Sequence, residues 1–171
     1  MRTDWVPREE IQHILAALTP PNRLACEVSM RTGLRIGDVL RLKTSQLKNR
    51  FTIQEEKTGK CRRVFLSDKL LNELLENSGK IFVFPHRTNG RKHRTRQAVF
   101  KDLKRAAGLF RCREKVRPHS LRKIYAVEQY EKTKDLARVK RLLNHSSEAV
   151  TYIYAMADLI TKKGHLTKKK I

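Results

Sequence analysis

His119 and Arg122 stand three apart in PHSLR, His145 sits in LNHSS, and Tyr154 follows that histidine by nine positions. Residues three apart share a helix face, so the imidazole of His119 and the guanidinium of Arg122 are expected to project in one direction. Ser146 or Ser147 offers an N-cap for a helix running through Val150 and Thr151 toward Tyr154. Nine helical steps span roughly 13 Å at about 1.5 Å each. That is too far for contact between His145 and Tyr154, but it lets both side chains reach inward to one small group. A phosphate suits such a gap, because it accepts hydrogen bonds from Arg and His and can be attacked by a phenol.

The elements that must hold these groups are mostly helices. PREEIQHILAAL, residues 7–18, has proline in its first turn, early acidic residues and apolar Ile11, Ile14, Leu15 and Leu18 at helical spacing. Pro20-Pro21 is expected to break the chain before a helix over 22–30, which Gly33 stops as a left-handed cap. Arg35 follows directly and opens a short helix over 36–42; Asp38, three residues on, either fixes its guanidinium or caps a turn. Residues 51–54 and 62–66 read as two strands, with Lys57-Thr-Gly-Lys60 at the turn and either lysine available for chemistry.

Ser67 caps a helix over 68–76, and 81–84 is a short buried run, strand or extended. HRTNGRKHRTR, residues 86–96, is a basic loop around Asn89-Gly90, placing Arg87, Arg91, Lys92, Arg94 and Arg96 with Lys60 as phosphate contacts. Thr95 starts the next helix, Pro118 the helix bearing His119 and Arg122, and Leu136, Val139, Leu142 and Leu143 mark another. Tyr125 and Tyr130 read as packing residues. The fold class is α+β, mainly α-helical with a small antiparallel hairpin. Residues 1–160 form one domain and 161–171 a basic tail.

The 171 residues are 39% hydrophobic, enough for a core, and carry 39 Lys+Arg against 17 Asp+Glu for a net +22. That excess points to a polyanion, most simply nucleic acid. Cys26, Cys61 and Cys112 have no ligand spacing, so neither a disulfide framework nor a metal site is expected, and reduced thiols suit a cytoplasmic protein. No apolar run approaches the roughly 18–20 residues of a membrane span.

The order H-x-x-R, L-x-H-S and a tyrosine nine residues later resembles the tyrosine recombinases, or phage-integrase family. RTGLRIGDVLRL matches that family's first arginine box, placing its arginine at Arg35 and acidic neighbour at Asp38. EEKTGKCRRVFLS matches its lysine hairpin, and the resemblance selects Lys57 over Lys60. It also selects Tyr154 over Tyr152 as nucleophile. The implied catalytic set is Arg35, Lys57, His119, Arg122, His145 and Tyr154, with Asp38 supporting. Asn144 stands where glycine is commonest, and Lys123 where histidine often follows the arginine.

What the resemblance implies is a site-specific recombinase or integrase catalytic domain. It would cleave and rejoin double-stranded DNA through a 3′-phosphotyrosyl intermediate, without cofactor, metal or ATP. Self-association into a tetramer on DNA is expected in the full-length context. Two other readings compete: a type IB topoisomerase-like DNA-relaxing enzyme, and a catalytically inactive, basic DNA-binding module. Family members usually carry an N-terminal DNA-binding domain, whereas this sequence starts almost at the first catalytic-domain helix, as an excised domain or a minimal protein would.

Overall fold

The computed structural model describes Val6, residues 8–112 and residues 115–143. The chain divides into two units, residues 1–125 and 126–171. In the first, α1 (Arg8–Ala16), α2 (Pro20–Thr32) and α3 (Ile36–Leu40) precede the hairpin β1 (Arg50–Gln54) and β2 (Cys61–Phe65). Then come α4 (Asp68–Asn77), α5 (Arg96–Leu109) and α6 (Pro118–Thr133), whose residues up to Tyr125 belong to this unit. The described part of the second unit holds the rest of α6 and α7 (Leu136–Leu143). The α+β class, dominated by helix, is as expected.

Local signals account for most boundaries. Ser67 and Thr95 accept hydrogen bonds from the backbone N–H of Leu70 and Ala98, starting α4 and α5. Gly33 ends α2 at φ +69, its N–H donating to the Ser29 carbonyl at 2.8 Å. The helices bury the stripes the periodicity marks: Ile11, Ile14 and Leu15 from α1, Leu24 and Val28 from α2, Leu70 and Leu74 from α4, Val99 and Leu103 from α5. In the hairpin Phe51 faces Val64 and Ile53 faces Arg62, which puts Ile53 and Val64 into the core.

Two expectations are corrected. Pro20 and Pro21 do not break the chain; they occupy the first two positions of α2, where a missing N–H costs nothing. The adjacent donors go to Asp102 of α5, whose Oδ2 accepts from the N–H of Thr19 at 2.9 Å, its hydroxyl at 2.9 Å and Asn22 Nδ2 at 2.7 Å. Residues 81–84, read as a buried run, strand or extended, are only partly buried and make a single antiparallel bridge, Phe82 to Lys43, rather than a continuous strand. Val83 and Phe84 are buried, Ile81 is exposed, and the backbone docks on Leu42 and Thr44 through Val83 N to Leu42 O (2.9 Å) and Thr44 N to Ile81 O (3.1 Å).

Candidate active site

The RTGLR turn is rigid for local reasons. Ser29 Oγ donates to the Leu34 carbonyl at 2.7 Å, Thr32 Oγ1 donates to the Val28 carbonyl at 2.6 Å, and Leu34 is fully buried. The last carbonyls of α2, with no helical partner of their own, turn toward arginines. Arg122 Nη1 donates to the Gly33 carbonyl at 2.7 Å; Arg62 Nη1 reaches the same oxygen at 3.2 Å, and Arg62 Nη2 donates to the Thr32 carbonyl. A side chain on Gly33 would collide with the Tyr125 ring of α6, so glycine lets α6 approach closely enough to deliver Arg122.

Arg35 sits at the N-cap of α3 in extended conformation. Its Nη1 donates to Glu55 Oε2 at 2.7 Å, and that glutamate side chain is wholly shielded from solvent. Glu55 also accepts from Thr58 Oγ1 at 2.9 Å and from Arg62 Nη1 at 3.4 Å. Burial alone would raise the Glu55 pKa, but the hydrogen bonds from Arg35 and Thr58 outweigh it and hold the carboxyl below its ordinary value. Three guanidiniums thus gather around one carboxylate. Arg122 shows the imbalance: burial, then Arg35 and Arg62, pull its pKa down to about 9. Such a cluster is stabilised by any anion that enters it.

An anion would enter through a cleft of about 730 Å³. Its wall includes Arg35 and Asp38 of the α3 region, Lys57 of the hairpin turn, Arg96 and Phe100 of α5, and Arg117, His119 and Arg122 at the start of α6. Arg35, Lys57, His119 and Arg122 therefore meet at one place, with His119 and Lys57 exposed and Arg122 3% exposed. His145 and Tyr154 lie outside the described residues, as does Asn144. Lys123 is buried in α6.

Asp38 does not hold Arg35. Its Oδ1 accepts from Arg41 Nη2 and from the backbone N–H of Glu56, both at 3.0 Å, while Oδ2 has no hydrogen-bond partner among the described residues. Spacing of three pairs side chains only within a helix, and Arg35 is the extended residue ahead of one. Asp38 instead ties α3 to the residue before Lys57. The basic loop also sorts itself. Arg96 lines the cleft and packs against Gly37, whereas half-buried Arg94 lines a separate groove of about 130 Å³ beside Pro20, Pro21 and Phe84. Arg87, Arg91, Lys92 and Lys60 are exposed and do not line the cleft.

Sequence reasoning missed Glu55 and Arg62. The signal lay in the alternation: Glu55, just past β1, is in phase with Phe51 and Ile53, and Arg62 and Val64 of β2 stand opposite that pair. A carboxylate and a guanidinium in phase with buried apolar residues mark an inward polar pair.

The phage integrase family profile matches residues 4–159. The probable integrase/recombinase YoeC of Bacillus subtilis (strain 168) is 30% identical over 141 residues, covering 79% of this chain and 77% of that protein. A tyrosine recombinase of Thermosipho africanus is 31% identical over 88% of this chain and 56% of its own length. The integrase of Escherichia phage P2 is 29% identical over 90% of this chain and 43% of its own length. The chain thus spans about half the length of the latter two relatives. Among solved structures, a lambda integrase (75–356) dimer bound to a COC′ core site aligns with a TM-score of 0.74 at 22% identity, covering 90% of this chain and 60% of that one. The catalytic domain of bacteriophage HP1 integrase aligns at 0.64 and 20% identity, over 90% and 88%. The chain belongs to the phage integrase family, and its fold is that of a tyrosine-recombinase catalytic domain.

Proposed function

We propose that this domain cleaves and rejoins strands of duplex DNA at specific sites through a 3′-phosphotyrosyl intermediate. The observation that carries the reading is the convergence of Arg35, Lys57, His119 and Arg122 on one cationic cleft, although they come from three separate segments. Arg35 and Arg122 clamp the non-bridging oxygens of a scissile phosphate with positive charge and directed N–H groups. Tyr154 Oη attacks phosphorus, the bond to the 5′-oxygen breaks, and Lys57 donates the proton that the departing oxygen needs.

His119 accepts or relays the tyrosine proton, and His145 donates to a non-bridging oxygen. An ordinary phenol near pKa 10 is ionised about one part in a thousand at pH 7, a deficit of about 4 kcal/mol that the base and the cationic surround must offset. One phosphoester replaces another, so religation to a different 5′-hydroxyl needs no external energy source. The relatives' names support recombination over DNA relaxation. Assembly into a tetramer on DNA belongs to the same proposal.

The test is incubation with nicked suicide duplexes bearing a verified target site. Intact protein is expected to form a covalent adduct that maps to Tyr154. Tyr154→Phe abolishes the adduct, and Tyr152→Phe retains it. A label on Tyr152, Tyr125 or Tyr130 would identify another nucleophile, and no adduct at all would favour the DNA-binding module.

A further inference from the structure

We infer that Glu55 is a positioning residue that locks the arginine clamp to the turn carrying Lys57. The inference rests on the recombinase reading. The Glu55 side chain, fully shielded, binds Arg35 at 2.7 Å and Arg62 at 3.4 Å, and Arg62 in turn shares the Gly33 carbonyl with Arg122. The same residue closes the lysine turn: its N–H donates to the Lys60 carbonyl at 3.0 Å, its carbonyl accepts from Gly59 N at 2.8 Å, and its Oε2 accepts from the Thr58 hydroxyl at 2.9 Å. Lys57 lies two residues beyond.

A single carboxylate oxygen, Oε2, therefore joins the guanidinium of Arg35 to the hydroxyl next to Lys57. An arginine on a flexible stem has many rotamers and loses entropy whenever it binds. Anchoring one edge of Arg35 removes that freedom before substrate arrives and sets the distance between clamp and lysine. Glu55 does not face the cleft, so it acts through Arg35 rather than on the phosphate.

The experiment is a double-mutant cycle in single-turnover cleavage. Misplacing the clamp by about 1 Å is expected to make Glu55→Gln slower by about a hundredfold. Arg35→Ala loses about 10²–10³, and adding Glu55→Gln to Arg35→Ala costs less than about threefold more. DNA affinity stays near that of wild type. Glu76→Gln, an exposed site on α4 with the same charge change, leaves the rate unchanged.

Multiplying rate losses, or a Glu55→Gln enzyme as fast as wild type, would overturn the inference. If Glu55→Gln does not fold, Thr58→Val takes its place: it should slow cleavage by up to about tenfold, non-additively with Arg35→Ala, and an unchanged rate would overturn the inference. A second readout needs no activity. Nitrogen-detected NMR should show hindered rotation of the Arg35 guanidinium in wild type and Glu76→Gln, lost in Glu55→Gln and weakened in Thr58→Val. If wild type makes no adduct, the recombinase reading fails; Arg35 signals unchanged by both substitutions at Glu55 and Thr58 would end the Glu55 inference separately.

Discussion

Gly33 and Gly59 form a matched pair for testing how closely α6 seats the clamp. Both have left-handed backbone, φ +69 and +64, so alanine at either position is strained by about 1–2 kcal/mol. Their surroundings differ. A Cβ on Gly33 would lie 2.4 Å from Tyr125 Cδ1 and 2.6 Å from Cε1, whereas one on Gly59 meets nothing within 4 Å among the described residues. Tyr125 is 8% exposed, so its ring cannot swing into solvent, and overpacking of this kind costs about 1–3 kcal/mol more.

Gly33→Ala should therefore destabilise by about 2–5 kcal/mol and Gly59→Ala by about 1–2 kcal/mol, set against a typical total of about 5–15 kcal/mol. Urea unfolding followed by circular dichroism measures both as shifts in midpoint at constant slope. Because the Gly33 carbonyl accepts from Arg122 and Arg62, Gly33→Ala should also depress cleavage under conditions where the variant remains folded. Equal losses at the two positions, or a Gly33→Ala protein within about 0.5 kcal/mol of wild type, would refute the close approach of Tyr125 and the seating of Arg122 argued from it.

Asp102 predicts an acid response. Burial opposes its ionisation, but the bonds from Asn22, Thr19 and Arg105 outweigh that and lower its pKa from 3.8 to about 2. This contributes about 2 kcal/mol that is fully present above pH 3.8 and lost as pH falls through about 2. Asp102→Asn should be less stable at neutral pH and flatter over that acid window; an unchanged acid limb in denaturation curves would count against the network. Lys57→Ala should cleave ordinary DNA slowly and recover on a substrate with sulfur at the 5′-bridging position, since a thiolate leaves without a proton; equal impairment on both would make Lys57 a positioning residue. Duplex binding should weaken about a thousandfold between 50 and 200 mM salt if about six phosphates are neutralised, and a flat titration would contradict phosphate-dominated binding.

What the sequence determined was whatever short-range chemistry decides. Ser67 and Thr95 start helices because a hydroxyl can reach an N–H three residues on, and Gly33 stops one because its backbone tolerates positive φ. The three-residue spacing of His119 and Arg122 suffices to bring both to one cleft once α6 forms. Tertiary structure decided the partners. Asp38 was the nearer carboxylate in sequence, but Arg35 lies ahead of its helix, and Glu55, twenty residues away, comes to it through the hairpin. Arg94 and Arg96 have the same local composition around them and part company because α5 begins at Arg96 while the Arg94 N–H is fastened to the Phe84 carbonyl at 2.7 Å. Pattern and capping report a residue's own few neighbours; which charge meets which is set by contacts between distant segments, whose geometry no local period encodes.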